Sequence, residues 1–242
     1  MTTRFTDPSP QRIAKIAGFL YLIIIISGIF AEFFVRSSLI VTGDAMATAG
    51  NIFASEGLFR AGIASDLIMI MCDVALALLF YVLFKPVSHA LSLLAAFFRL
   101  VQAAILSVNL LNLFFVLQLL SGADYLSAFS AEQLHAQLLL FLNAHRTGYA
   151  IGLVFFGVQC FVLGYLIIKS GYVPRILGFL LIAASFGYLA DSFASFLLAN
   201  YTDYEEIFML VVFIPAFIAE LSLCLWLIVK GVSIPPGNNP TP

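Results

Sequence analysis

Apolar residues run along this chain in six long stretches separated by short polar or glycine–proline breaks. The first covers residues 16–35, behind Arg12 and Lys15. The second, 60–84, stops at Lys85-Pro86, where proline cannot continue a helical ladder. The third, 89–120, ends at Ser121-Gly122, and the fourth covers 144–168. Gly171 and Pro174 mark a tight turn before the fifth, 175–198, and the sixth covers 206–229. A membrane helix needs roughly 20 apolar residues, so the pattern predicts an all-α, polytopic transmembrane bundle of six spans. The first run is longer than the apolar region of a signal peptide and no clear small-residue cleavage site follows, so it reads as a span.

The polar breaks add detail. Residues 36–59 mix Thr42, Gly43, Asp44, Gly50, Asn51 and Glu56 with apolar positions and read as an external loop carrying a short surface helix. Ser130 with Gln133 three residues on is a capping box. It opens a helix that leads into the fourth span or lies on the membrane beside it. The expected organisation is a flexible segment over 1–11, one membrane domain over 12–232, and a disordered proline-rich tail over 233–242.

Composition supports this reading. Of 242 residues, 62% are hydrophobic and 10% charged, against about 25% charged in soluble domains. The net charge of −2 argues against a nucleic-acid partner, which would want a basic patch. Cys72, Cys160 and Cys224 all fall in apolar stretches, which argues against a disulfide framework or a zinc site. The expected partner is the lipid bilayer, with a small-molecule or cation ligand and a second copy of the chain as further candidates.

Lysine and arginine set orientation. Arg4, Arg12, Lys15, Lys85, Lys169, Arg175 and Lys230 fall on one side. Arg36, Arg60 and Arg146 stand beside acids on the other, where the fifth loop carries Asp203, Glu205 and Glu206. Both termini are expected inside. A weak internal echo relates Arg12-Ile13…Gly18-Phe19-Leu20 to Arg175-Ile176…Gly178-Phe179-Leu180, as repeated helical hairpins would. Trp226, Tyr165 and Tyr172 suit one interface, and Tyr201 and Tyr204 the other.

Charged side chains inside spans carry the functional signal, because each costs about 2.5–3.5 kcal/mol at the bilayer centre. Asp73, Arg99, Gln159 and Glu220 each lie ten or eleven residues from the inner end of their span, about 15 Å at the helical rise. The simplest assembly holds Arg99 between Asp73 and Glu220, with Gln159 filling a remaining position. Gln102 shares the Arg99 stripe, and Pro215 is placed to kink the last span before Glu220. An outer pocket is expected from Glu32, Asp66, Asn109, His145, Tyr149 and Asp191, with Asn112 nearby. Arg36 reaches back to Glu32 at i,i+4. Acids outnumber bases within the spans. Either some carboxyls are protonated, since burial favours the uncharged form, or a cation balances them.

Gly18-Phe19-Leu20-Tyr21-Leu22, Phe98-Arg99-Leu100 with Gln102, and His145-Arg146-x-Gly148-Tyr149 leading to Phe155-Phe156-Gly157 together resemble an uncharacterised bacterial family, domain of unknown function 4386. The resemblance covers nearly the whole chain and implies a bacterial inner-membrane protein. It implies no activity, catalytic residue or cofactor.

Three functions fit the residues. One is binding or transport of a small ligand or cation with proton exchange at the buried acids. A second is a membrane-embedded metal hydrolase using His145 with Glu32, Asp66 and Asp191. Only one histidine is well placed for it, since His89 and His135 fall in or near loops, and catalytic zinc usually takes about three protein ligands. The third is a structural or regulatory subunit whose polar layer holds helices in register. No G-x-S-x-G motif supports a serine mechanism, and no mid-span lysine supports a retinal Schiff base.

Overall fold

The computed structural model describes residues 9–233. The expected flexible residues 1–8 and the tail from 234 lie outside that range. No strand occurs among the described residues. The chain folds as α1 (Pro10–Leu39), α2 (Ala45–Ala54), α3 (Glu56–Phe84), α4 (His89–Leu119), α5 (Ala131–Ser170), α6 (Arg175–Leu197) and α7 (Glu205–Val229). All but α2 contain a stretch long and apolar enough to cross a membrane. In lipid a spanning backbone must satisfy its own polar groups, and these uninterrupted apolar runs do so as helices.

The ends carry local signals. Ser9 accepts a hydrogen bond from the backbone N–H of Arg12 at 3.4 Å, and Pro10 opens α1, a position where its missing N–H costs nothing. Gln11 is already helical and clasps the far end of the chain: its amide donates to the Lys230 carbonyl at 2.8 Å and accepts from the Val232 N–H at 2.9 Å. The capping box at α5 is present in both directions, Ser130 N–H to Gln133 Oε1 at 2.9 Å and Gln133 N–H to Ser130 Oγ at 3.3 Å. It opens one continuous helix of 40 residues, about 60 Å long, so the lead-in and the fourth span are a single element. Gly171 and Gly231, with φ of 68° and 69°, turn the chain after α5 and α7 in a conformation glycine adopts without strain.

One expectation changes. The first span does not end at residue 35: from Phe30 to Arg36 the helix widens into a π-helix, then continues through Leu39. Arg36 stays inside the helix because acids neutralise it there. The expected surface helix is α2, capped by Asp44, whose Oδ1 accepts from Ala47 N–H at 2.8 Å. It is tied to the end of α1, with Thr48 Oγ1 accepting from Val41 N–H at 2.9 Å and Asn51 donating to the Leu39 carbonyl at 3.2 Å. Tyr172, in the turn after α5, is buried and stacks on Phe84, with ring centres 6.1 Å apart.

The chain divides into two compact units. The first contains Asp73–Leu100 together with the chain ends, through Leu22 and from Leu153. Glycines bring its helices close. A Cβ on Gly178 would meet the Gly164 carbonyl oxygen at 2.6 Å, and a Cβ on Gly18 would meet the Ile228 nitrogen at 2.8 Å. Small residues permit such backbone approach in membranes. The Cys224 thiol donates to the Gly18 carbonyl at 3.3 Å, and all three cysteines are free. The second unit contains Ile23–Cys72 and Val101–Gly152.

Candidate functional site

In the first unit, Asp73 projects from α3 and Arg99 from α4. Both are 1% exposed, a burial that charged groups tolerate when paired. Arg99 Nε and Nη2 reach the same oxygen, Asp73 Oδ1, at 2.9 and 2.5 Å, while Nη1 donates to Gln159 Oε1 on α5 at 3.3 Å. Aromatic rings flank the guanidinium: its central carbon lies 5.5 Å from the Tyr21 ring centre and 5.3 Å from that of Phe156. Planar, weakly hydrated guanidinium suits both contacts.

Glu220 does not share Arg99 as expected. Its Oε1 accepts a hydrogen bond from the Tyr188 hydroxyl on α6, and Glu220 stays partly exposed. Tyr188 is braced edge-on by Phe156 at 5.2 Å. Tyr21 is fully buried in α1. Tyr188 drew no expectation from the sequence because aromatic residues in a span ordinarily meet lipid, and Tyr21 and Phe156 stood out only within the motifs that carry the family resemblance. A tyrosine deep in the first span, within Gly18–Leu22, was the available signal. Pro215 lies inside α7 as expected, where its missing N–H removes one ladder bond.

The second unit gathers most of the expected outer pocket. Arg36 is 8% exposed and bridges two acids, with Nε to Glu32 Oε2 at 2.7 Å and Nη1 to Asp66 Oδ2 at 2.6 Å. The Glu32 side chain is 55% exposed, whereas Asp66 is 2% exposed. On α4, Asn109 Nδ2 donates to the His145 carbonyl at 2.8 Å, and Asn112 Nδ2 donates to Asn109 Oδ1 at 3.0 Å. Gly148 admits the Asn109 amide, which a Cβ there would overlap. His145 is buried with its ring 6.3 Å from that of Tyr149. Asp66, Asn109, His145 and Tyr149 help line a cavity of about 10 Å³. A larger recess, about 430 Å³, is apolar and faced by Ile26, Ile29, Phe30 and Phe34.

Gln102 is buried on α4 within the second unit. Asp191 belongs to the first unit, where its Oδ1 accepts from the Tyr201 hydroxyl at 2.7 Å. Among the described residues, no three His, Cys, Asp or Glu side chains come together as metal ligands.

Six apolar spanning helices, with ion-paired arginines buried inside their units, define a multi-pass α-helical membrane protein. The chain belongs to the family described as domain of unknown function DUF4386, which it matches over residues 16–231. A relative from Archaeoglobus fulgidus, described as an uncharacterized protein, is 32% identical over 165 residues, covering 68% of this chain and 80% of the relative. No solved structure matches the chain.

Proposed function

We propose that this protein exchanges protons at Glu220 and couples that exchange to binding or moving a small ligand or cation across its membrane. The observation carrying this reading is the partner of Glu220. Arg99 is engaged by Asp73 and Gln159, while Glu220 is held by a neutral phenol. A purely structural polar layer would match each buried acid with a cation. An acid matched instead to a hydroxyl can gain or lose its proton without breaking an ion pair, as carboxyls in membrane proton relays do. The Arg99–Asp73 pair is neutral as a whole and is itself best read as a helix lock.

The test uses the full chain in proteoliposomes enclosing a pH dye, challenged in turn with sodium, potassium and choline gradients. The reading predicts a luminal pH change with at least one cation, abolished by Glu220→Gln and slowed by Tyr188→Phe. No change beyond that of Glu220→Gln vesicles under every gradient would overturn it.

The distribution of Lys85, Lys169, Arg175 and Lys230 supports an orientation with both termini in the cytoplasm and residence in the inner membrane. Reporter fusions at the C-terminus, active on only one side of the membrane, test this: activity on the outer face contradicts it.

A further inference from the structure

We infer that the cationic end of the first unit, where α6 begins, is a docking surface for the headgroups of anionic phospholipids. The inference goes beyond the Glu220 reading and does not rest on it.

Six exposed basic residues belong to this end. Arg12 and Lys15 lie in the first turns of α1, and Lys85 follows α3. Lys169 stands at the end of α5, Arg175 opens α6 and Lys230 follows α7. Contacts within the unit draw these segments together. Gln11, beside Arg12, donates to the Lys230 carbonyl at 2.8 Å. The Ser233 N–H donates at 3.0 Å to the carbonyl of Tyr172, in the turn between Lys169 and Arg175. Tyr172 in turn stacks on Phe84, the chain neighbour of Lys85.

Among the described residues none of the six stands in a salt bridge; those bridges use Arg36, Arg60 and Arg99. Like charges gathered in this way attract an anion. Helix α6 adds to the attraction. It opens at Arg175 with no side-chain cap, and the backbone N–H groups and dipole of a helix start favour negative charge.

The apolar surface joined to these cations makes the anion a lipid rather than a free phosphate. Ile16, Ile176 and Val229 are exposed, and each is the chain neighbour of a cation, Lys15, Arg175 or Lys230. The Lys169 ammonium lies 5.6 Å from the Tyr165 ring centre, a pair of amphipathic side chains suited to headgroup level. A phospholipid matches both parts, its phosphate against the cations and its acyl chains against the apolar residues. A free phosphate matches only the first. Basic clusters bordering spanning helices are what anionic headgroups recognise.

The test uses the one tryptophan of the chain, Trp226, a helical turn before Lys230. The full chain is placed in bilayers of phosphatidylglycerol and phosphatidylcholine, with the acyl chains of one lipid or the other brominated to quench tryptophan on contact. Both leaflets carry the same mixture, so neither orientation nor Glu220 enters the result. Expected is stronger quenching by brominated phosphatidylglycerol, a preference of about fivefold or more, the pull of roughly one surface cation. Arg175→Gln combined with Lys230→Gln should remove most of that preference. Arg60→Gln, in the second unit and paired to Glu56, should leave it intact. Equal quenching by the two lipids in the unmodified protein, or none by either, would overturn the inference. So would a preference that survives the double substitution in full. A preference erased by inorganic phosphate, but not by sodium chloride of equal ionic strength, would also overturn it by assigning the cations to a soluble anion.

Discussion

Arg99 and Arg36 are both arginines buried in membrane-spanning helices, and their surroundings differ in kind. Arg99 meets one carboxylate, one amide and two aromatic faces. Arg36 meets two carboxylates, one of them 55% exposed, and sits where α1 widens into a π-helix. Each cluster nevertheless carries one more acid than base. Around Arg99 the surplus acid is Glu220, held by a tyrosine. Around Arg36 the surplus is shared between an exposed Glu32 and an Asp66 with one unbonded oxygen. The contrast teaches that pairing an arginine does not dispose of the charge problem; it relocates it to one acid in each unit. In the first unit that acid, Glu220, is where protons are expected to move.

The strongest way to break the comparison is to remove each arginine. Arg99→Ala leaves Asp73 buried without its cation and should cost about 3–5 kcal/mol, read as a large drop in the thermal midpoint in detergent. Arg36→Ala should cost less, roughly 2 kcal/mol, because one of its two carboxylate partners, Glu32, is already 55% exposed. Equal losses would show that the two pairs do the same work. Glycine substitutions sharpen the same contrast. Gly178→Ala drives a Cβ against the Gly164 carbonyl, which cannot yield, for about 1–3 kcal/mol. Gly148→Ala meets only the Asn109 side chain, which can swing away at the expense of its bond to His145, for about 1 kcal/mol. The smallest effect is expected from Glu32→Gln, whose partner Arg36 keeps Asp66, within about 1 kcal/mol in the same melt.

Much of the fold could be read locally. The six spans follow from apolar run length, the α5 start from Ser130 and Gln133, and the Glu32–Arg36 pair from helical spacing. The Asp73–Arg99 pair was accessible because rise per residue sets depth along a spanning helix. Depth leaves rotation about the axis open, which is why Glu220 was expected on Arg99 and instead faces Tyr188. Asp191 was grouped with Glu32 and Asp66 by the same depth argument, and its bond to Tyr201, ten residues further along the chain, was not foreseen. The π-helix had no local signature: one helical stretch in a wider register changes no residue type, and only the tertiary pairing of Arg36 accounts for the helix continuing to Leu39.

The central claim is that Glu220 changes protonation state within the membrane domain, and infrared difference spectroscopy of the lipid-embedded protein tests it directly. The account predicts a protonated-carboxyl stretching band that appears as pH is lowered, vanishes in Glu220→Gln, and shifts in Tyr188→Phe as the phenol bond is lost. A carboxyl band that is the same in the unmodified protein and in Glu220→Gln across the whole pH range would contradict it.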